Sequence, residues 1–324
     1  MSKGSISIER QLGLLTKNDG VDIRNPSTAI LGISSIDRYK RLTDGERNPT
    51  NLVNPTSPYD FTIQTSGQPF MSGFFTRMAV SEVRFPWTMP TITARNQNMR
   101  IVYDDGTGPV NYTLTINNGW YDPTALAAEL ETQIQINTGN AGFTVTWTGA
   151  GKYQFAAASN NGDTFYFQRL PPPTAAPLTN MITVFEMMAW DNNQVLAISQ
   201  VSGTTVNLLS TQFVDIVCEN LTLNQSLKDG DTSSQMRDTL CRIYLAPDGF
   251  NGDPTLLGSE PFIIQRQFTF PKQIKWSANQ NIGNMRFIVY DDQGYALSTY
   301  EVGSGNNADY NQGNWNMTLL VSEV

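Results

Sequence analysis

Residues 1–57 carry no sustained apolar period, and from Pro58 onward the chain breaks into short runs that alternate apolar and polar positions with a period of two. Tyr59, Phe61 and Ile63 share one face of the first run. A longer run follows over 74–85, in which Met78, Val80 and Glu82 lie on one side and Ala79, Ser81 and Val83 on the other. Pro86 and Pro90 are expected to end it, because proline cannot donate to a ladder. Strands are predicted over 100–103 and 110–116, closed by the turns Asp104-Asp105-Gly106 and Asn117-Asn118-Gly119. The period then changes to that of a helix. Asp122 is placed to cap its start, Pro123 takes its first position, and Leu126, Leu130 and Ile134 recur every four residues with Ala127 beside them. Asn137-Thr138-Gly139 ends it, since Asn and Gly tolerate the left-handed cap conformation. Strands return over 143–147, 153–157 and 164–168.

Pro171, Pro172, Pro173 and Pro177 predict a stiff loop, and 181–190 a short helix. Further strands are predicted over 202–209, 213–223, 239–246, 262–270, 286–290, 296–302 and 315–321. Many turn-bounded strands and one clear helix imply an all-β fold: an antiparallel jelly-roll sandwich with an N-terminal extended arm and an inserted β-rich subdomain carrying one helix. The expected organisation is an arm over 1–57, a body made of 58–93 and 169–324, and a ββ-α-βββ insertion over 94–168. The arm is rich in polar residues, Gly and Pro, with apolar patches at 12–15 and 29–36, so it cannot build its own core but offers anchors to a partner. A chain lacking residues 1–50 is therefore expected to fold. One stretch echoes another: Asn98-Met99-Arg100-Ile101-Val102-Tyr103-Asp104-Asp105 resembles Asn284-Met285-Arg286-Phe287-Ile288-Val289-Tyr290-Asp291-Asp292, which two strands entering Asp-Asp turns explain.

Composition narrows the function. The 324 residues contain no histidine, which removes a Ser-His-Asp triad, a Cys-His pair, His-ligated zinc or haem and an imidazole switch. Charged residues make up 15%, against roughly 25% in an average domain, so the polarity is carried by neutral side chains, as suits a subunit covered by neighbours. The net charge of -8 argues against a nucleic-acid-binding face. Residues 1–50 hold eight basic and six acidic side chains, leaving 13 and 23 for the rest, so the arm differs electrostatically from the body. The first residues lack the apolar core of a secretory signal and no run is apolar enough to span a bilayer, which predicts a protein made in a reducing compartment with no membrane span. Cys218 and Cys241 are accordingly expected as buried free thiols.

Catalytic patterns are sparse. Asp104, Asp105, Asp291 and Asp292 could form a carboxylate pair or a calcium site, but Asp at strand-ending turns more commonly bonds its own backbone. No phosphate-cradling glycine motif and no nucleophile elbow occur, and Gly149-Ala150-Gly151-Lys152 reads as a hairpin turn. Trp87, Trp120, Trp147, Trp190, Trp276 and Trp315 form no periodic platform and are expected as core or interface anchors. No catalytic residue, metal or cofactor is expected.

Several segments in order carry a resemblance: Ser35-Ile36-Asp37-Arg38; Pro58-Tyr59-Asp60-Phe61-x-Ile63; Val80-Ser81-Glu82-Val83-Arg84-Phe85-Pro86; Met89-Pro90-Thr91-Ile92 with Asn96; Asn118-Gly119-Trp120-Tyr121 ahead of Leu126, Leu130 and Ile134; Phe270-Pro271-Lys272-x-Ile274-x-Trp276; and Phe287-Ile288-Val289-Tyr290-Asp291-Asp292-x-Gly294. Over most of 35–295 this order resembles the penton, or minor capsid, proteins of virophages, polinton-like viruses and related eukaryotic DNA viruses; the stretch 170–211 fits the pattern poorly. The resemblance implies a single jelly-roll structural capsid protein that forms homopentamers at icosahedral fivefold vertices of a virion assembled inside the host cell. Its implied partners are further copies of itself, a double-jelly-roll major capsid protein, and other minor capsid or spike proteins. The arm is then the candidate tie to neighbouring capsid proteins, through Leu12, Leu14, Leu15, Arg24, Ile30, Leu31, Ile33 and Arg38. Two alternatives stand beside it: a virion or phage attachment (fibre or receptor-binding) module, and a β-sandwich carbohydrate-binding or glycosidase domain.

Overall fold

The computed structural model describes residues 28–39, 57–64, 75–94, 96–157, 162–170, 184–188, 190, 195–203, 205–209, 211–222, 239–245, 258–275, 282–297 and 313–323. Its elements are β1 (Thr28–Ser34), a 3-10 turn (Ser35–Tyr39), β2 (Asp60–Gln64), β3 (Phe75–Trp87), β4 (Asn98–Asp104), β5 (Val110–Thr115), α1 (Pro123–Thr138), β6 (Thr144–Trp147), β7 (Tyr153–Ala156), β8 (Thr164–Gln168), α2 (Val184–Met187), β9 (Ser199–Val201), β10 (Phe213–Val217), α3 (Glu219–Thr222), β11 (Thr239–Tyr244), β12 (Phe262–Gln267), β13 (Gln273–Lys275), β14 (Asn284–Asp291) and β15 (Asn316–Glu323).

Strand order identifies the fold. One sheet runs β1-β15-β3-β12, with the short β13 continuing beside β3, and another runs β11-β10-β14-β2. Counting only the eight long body strands in chain order, these sheets read 1-8-3-6 and 5-4-7-2. Strand 1 thus lies beside strand 8, strand 2 beside 7 and strand 3 beside both 8 and 6, which is the double Greek key of a jelly roll. Every pairing among these strands is antiparallel. The inward faces of both sheets form one core, including Phe61, Met78, Val80, Phe85, Ile216, Phe287, Leu319 and Trp315. Trp315 binds the two sheets together. Its ring lies 5.6 Å from Phe61 and 5.8 Å from Phe287, and its indole N–H donates to Pro58 O at 2.7 Å.

β3 does not stop at Pro86, as the sequence had implied. It runs to Trp87, with Pro86 opposite Ile263 of β12. β15 has already ended opposite Arg84, and the alternation of the β3–β12 ladder turns the Pro86 nitrogen toward that vacated side, so no ladder bond is lost.

A second core fills the long excursion between β3 and β10. Sheets β5-β4-β8 and β6-β7-β9 close over α1. Leu126, Ala127, Leu130 and Ile134 of the helix pack with Met99, Ile101, Phe143, Phe155, Phe165 and Phe167. The helix ends are as the sequence implies: Asp122 accepts from Ala125 N at 2.7 Å, and Gly139 takes the left-handed conformation at φ 75°. The excursion is longer than the predicted 94–168. Ile92, Val184, Phe185, Met187, Met188, Trp190, Val206 and Leu208 all belong to this core, so residues to 208 that were expected in the body lie on the second lobe instead. Nor is 202–209 a strand. The ladder is β9, a few residues earlier, and Val206 and Leu208 reach the core from irregular chain held by Val206 N donating to Gly151 O and Asn207 N to Met187 O.

Thr91 joins the two lobes: its hydroxyl donates to Gly258 O at 2.6 Å and accepts from Tyr121 N at 3.1 Å, while Asn96 donates to Thr91 O at 3.0 Å. The predicted strand over 213–223 ends at Val217 and gives way to the single turn α3. The proline loop at 171–177 and most of the strand predicted over 296–302 lie outside the described residues.

Candidate contact surfaces

The eight residues assigned to the arm separate sharply. Leu12, Leu14, Leu15 and Arg24 lie outside the described residues. The other four do not belong to an arm at all, because β1 is the first strand of the jelly roll and pairs with β15 from Thr28↔Ser322 to Ser34↔Asn316. Ile33 is buried in the body core and Leu31 packs against it. Arg38 is buried, with its Nη1 donating to Ser35 O and Asn314 Oδ1. Trp315 N donates to Ser35 Oγ at 3.0 Å and Ser35 N to Trp315 O at 2.9 Å, which locks this corner. Ile33 and Arg38 are thus parts of the fold and not contact residues, and a chain cut at residue 50 would lose a strand. Among the four that are described, Ile30 presents its side chain outward, 72% exposed.

The groups that could have carried chemistry are spent on structure. Asp104 Oδ1 accepts from Gly106 N and Gly108 N at 2.8 and 3.0 Å, and Asp105 Oδ1 from Thr107 N and Oγ1. Asp291 Oδ1 accepts from Gln293 N and Tyr295 N, and Asp292 Oδ2 from Gln212 N at 2.7 Å. Asp104, Asp105 and Asp291 thus hold the backbone of their own turns, while Asp292 ties its turn to the chain ahead of β10. Cys218 and Cys241 are buried free thiols. Burial pushes the Cys218 thiol up to about 12 and Cys241 up as well, leaving both protonated and poor nucleophiles at neutral pH. In the second lobe Tyr103 donates to Asp163 Oδ2 and accepts from Asn140 Nδ2 at 2.7 Å, and burial first, then the Asp163 bond, pushes its phenol up to about 12. That cluster ties the chain after α1 to β4 and to the start of β8. Arg242 of β11 clasps Asp215 of β10 through two 2.8 Å bonds and lies 3.8 Å over the Phe213 ring; the Asp215 bonds hold the guanidinium firmly charged. Among the described residues no group of three or more Cys, Asp or Glu side chains is placed to hold a metal, and no helix is long and apolar enough to cross a membrane.

Several large apolar side chains are exposed. On the outer face of the first sheet Ile30 sits opposite Leu320, both exposed. At the far edge of that sheet Ile263 is 56% exposed. Between β12 and β13 the chain bulges, and Phe270 stands 94% exposed at the tip. Beneath it a cavity of about 400 Å³ opens between the sheet edges, lined by Val80, Leu240, Cys241, Phe268 and Pro271. On the second lobe Val195, Leu196, Ile198 and Val201 are exposed along and ahead of β9. Of the tryptophans, Trp87, Trp190 and Trp315 are core, while Trp120 and Trp147 pack partly buried against the two clusters; Trp276 lies outside the described residues. The sequence hid Phe270 inside a predicted strand over 262–270, although Pro271 marked the break.

By sequence, no known family profile and no curated protein matches this chain. By structure it is similar to the crystal structure of the mavirus penton protein, with a TM-score of 0.50 and 10% sequence identity, over 93% of this chain and 100% of that one. At that identity the likeness is one of fold: the antiparallel all-β architecture read from strand order is shared with that penton protein.

Proposed function

We propose that this chain is a structural capsid protein, a penton-type subunit that closes in rings of five at the fivefold vertices of an icosahedral virion and seats against the major capsid protein. The observation that carries the reading is the eight-strand jelly roll with a second lobe inserted between its third and fourth strands, similar in fold over 93% of the chain to a penton protein. The chemistry agrees with it. The turn carboxylates hold backbone N–H groups and both thiols are buried, while the chain carries little charge and several exposed apolar side chains, which suits a molecule whose working state is covered by neighbours. In this reading the function is association and no reaction is catalysed.

Roles then follow from position. The jelly roll sits in the shell, the lobe over residues 92–208 stands outside it as a tower, and residues 1–27, which precede β1 and include Leu12, Leu14, Leu15 and Arg24, reach to neighbouring capsid proteins. The test is co-expression with the major capsid protein of the same virus, followed by imaging of purified particles and native mass spectrometry of the released subunit. Five copies per vertex with density projecting beyond the shell is the expected result. A chain that never enters particles, or a monomer that binds or cleaves a glycan, would overturn the reading.

A further inference from the structure

A sheet of four antiparallel strands has edges that run in opposite directions. β1 and β12 are the two edges of the first sheet, and among the described residues neither is paired on its outer side. The hydrogen-bond phase of each edge can be read directly. Ser35 N donates to Trp315 O, so alternation along the strand turns the N–H groups of Ala29, Leu31 and Ile33 toward β15, and those of Thr28, Ile30, Gly32 and Ser34 outward. Phe268 N donates to Ser81 O, so Phe262, Ile264 and Arg266 face β3, and Ile263, Gln265 and Gln267 face outward.

Natural edge strands are normally guarded by charge, proline or a bulge. The second sheet has such guards: its edge strand β2 begins at Asp60, paired with Arg286, and its edge strand β11 carries Arg242 and pairs across a register shift. β1 has none of them. Its sequence, Thr-Ala-Ile-Leu-Gly-Ile-Ser, has no charge and no proline, and it pairs with β15 without a register break over all seven residues. Ile30 on the outer face of β1 and Ile263 on the outer face of β12 are both exposed, and Phe270 projects beside β12.

The geometry points to a head-to-tail contact between two copies of this chain, in which the free edge of β12 on one copy adds to the free edge of β1 on the next. Parity permits this occupant, and the ring-forming reading selects it over a two-fold contact of β1 with β1. With an even number of alternating strands, a rotation about an axis near the strand direction brings β12 against β1 antiparallel, and the sheet continues from copy to copy. Each copy spends one edge on each neighbour, as a closed ring of heterologous contacts requires. Ile30 would meet Ile263 on the outer face, and Phe270 would be covered beside them. This inference rests on the ring-forming reading above and names the surfaces that make the ring.

Two proline variants test it, because each removes an amide that points away from its own sheet; Gln265→Pro also gives up an exposed side-chain bond to Glu82 on β3. Gly32→Pro blocks the β1 edge, where an added side chain meets nothing within 4 Å, and Gln265→Pro blocks the β12 edge. Native mass spectrometry of the full-length protein over a concentration series is the readout, with melting temperature as the control for folding. Each variant alone should weaken association at least tenfold, and their equimolar mixture should give a heterodimer, since one supplies an intact β12 and the other an intact β1. A symmetric β1-to-β1 contact would leave Gln265→Pro unaffected, which overturns the proposal. Residues 1–27 of the same chain seated on β1 would show as a lower melting temperature for Gly32→Pro with no change in oligomer mass, which also overturns it. Wild-type rings insensitive to both variants would sink the edge contact while leaving the capsid reading intact. A wild-type protein that stays monomeric throughout sinks the edge contact too, and absence of the chain from particles then decides the capsid reading separately.

Discussion

Trp315 shows how one side chain can fix the relation between two sheets. It lies just before β15 of the first sheet, yet its ring contacts are Phe61 and Phe287 of the second. Its indole donates to Pro58 O, and its backbone exchanges bonds with Ser35 at the end of β1. Trp315→Ala should therefore lose packing on both sheets and cost about 3–5 kcal/mol in urea unfolding. Trp315→Phe keeps a ring but leaves the Pro58 carbonyl without its donor, and should cost less, about 1–3 kcal/mol. The two thiols and Tyr103 set the response to alkali. Cys218 is raised from 9.0 to about 12 by burial, and Tyr103 from 10.0 to about 12. In each the neutral form is favoured by folding, so the stabilisation is complete below the unfolded pKa and disappears as pH climbs to the folded one. Unfolding free energy should stay level from pH 7 to about 9 and fall steadily toward 12. A thiol reagent at pH 8 should label neither cysteine until denaturant is added; rapid labelling of native protein would contradict the burial.

At the scale of the element, the sequence is most legible where local chemistry and global packing agree. α1 is the clearest case: Asp122, Pro123, the four-residue apolar spacing and Gly139 each specify a helix with those ends. Asp122→Ala should remove the 2.7 Å bond to Ala125 N and cost about 1 kcal/mol, read as a lower midpoint in chemical denaturation. The strands β2, β3 and β5 are also visible, because apolar positions alternate along each, and β10 through β12 show as short apolar-rich runs. β1 is not visible. Only Ile33 of its seven residues is fully buried, it sits among Gly- and Pro-rich sequence, and its partner β15 lies about 280 positions away. An edge strand with one open side and a distant partner leaves almost no periodic trace, and so it was read as part of an arm. β9 was missed for a related reason. Three residues pair with β7, and the apolar side chains that follow enter the core from irregular chain. The turn aspartates were legible as turns, while the exposed Phe270 was not, since exposure of an aromatic is decided by a bulge that the pattern does not show.

For the molecule as a whole, the decisive feature is that it has two cores with little shared between them. The body core gathers residues from 33 to 321, so the jelly roll is complete only when the first and last strands meet; the second core is drawn from 92 to 208 alone. The lobes are joined by the Thr91 hydroxyl to Gly258 O, by Trp120, which packs half-buried against the body core, and by Gly258, whose left-handed backbone lets it pass so close to Leu208 that a Cβ there would sit 2.9 Å from the Leu208 oxygen. Such a joint positions one lobe on the other without merging their apolar interiors, and chains with separate cores need not unfold as one unit. Calorimetry should then resolve two transitions. Phe155→Ala, which empties a place between Phe167 and Trp190, should lower one of them by on the order of 10 °C and leave the other in place. Trp315→Ala should do the reverse. A single transition displaced equally by both variants would show that the joint couples the lobes into one cooperative body. In the assembly proposed above, a second lobe that unfolds on its own can vary in sequence and stability without loosening the subunit contact, because the strands proposed to carry it, β1 and β12, both belong to the other core.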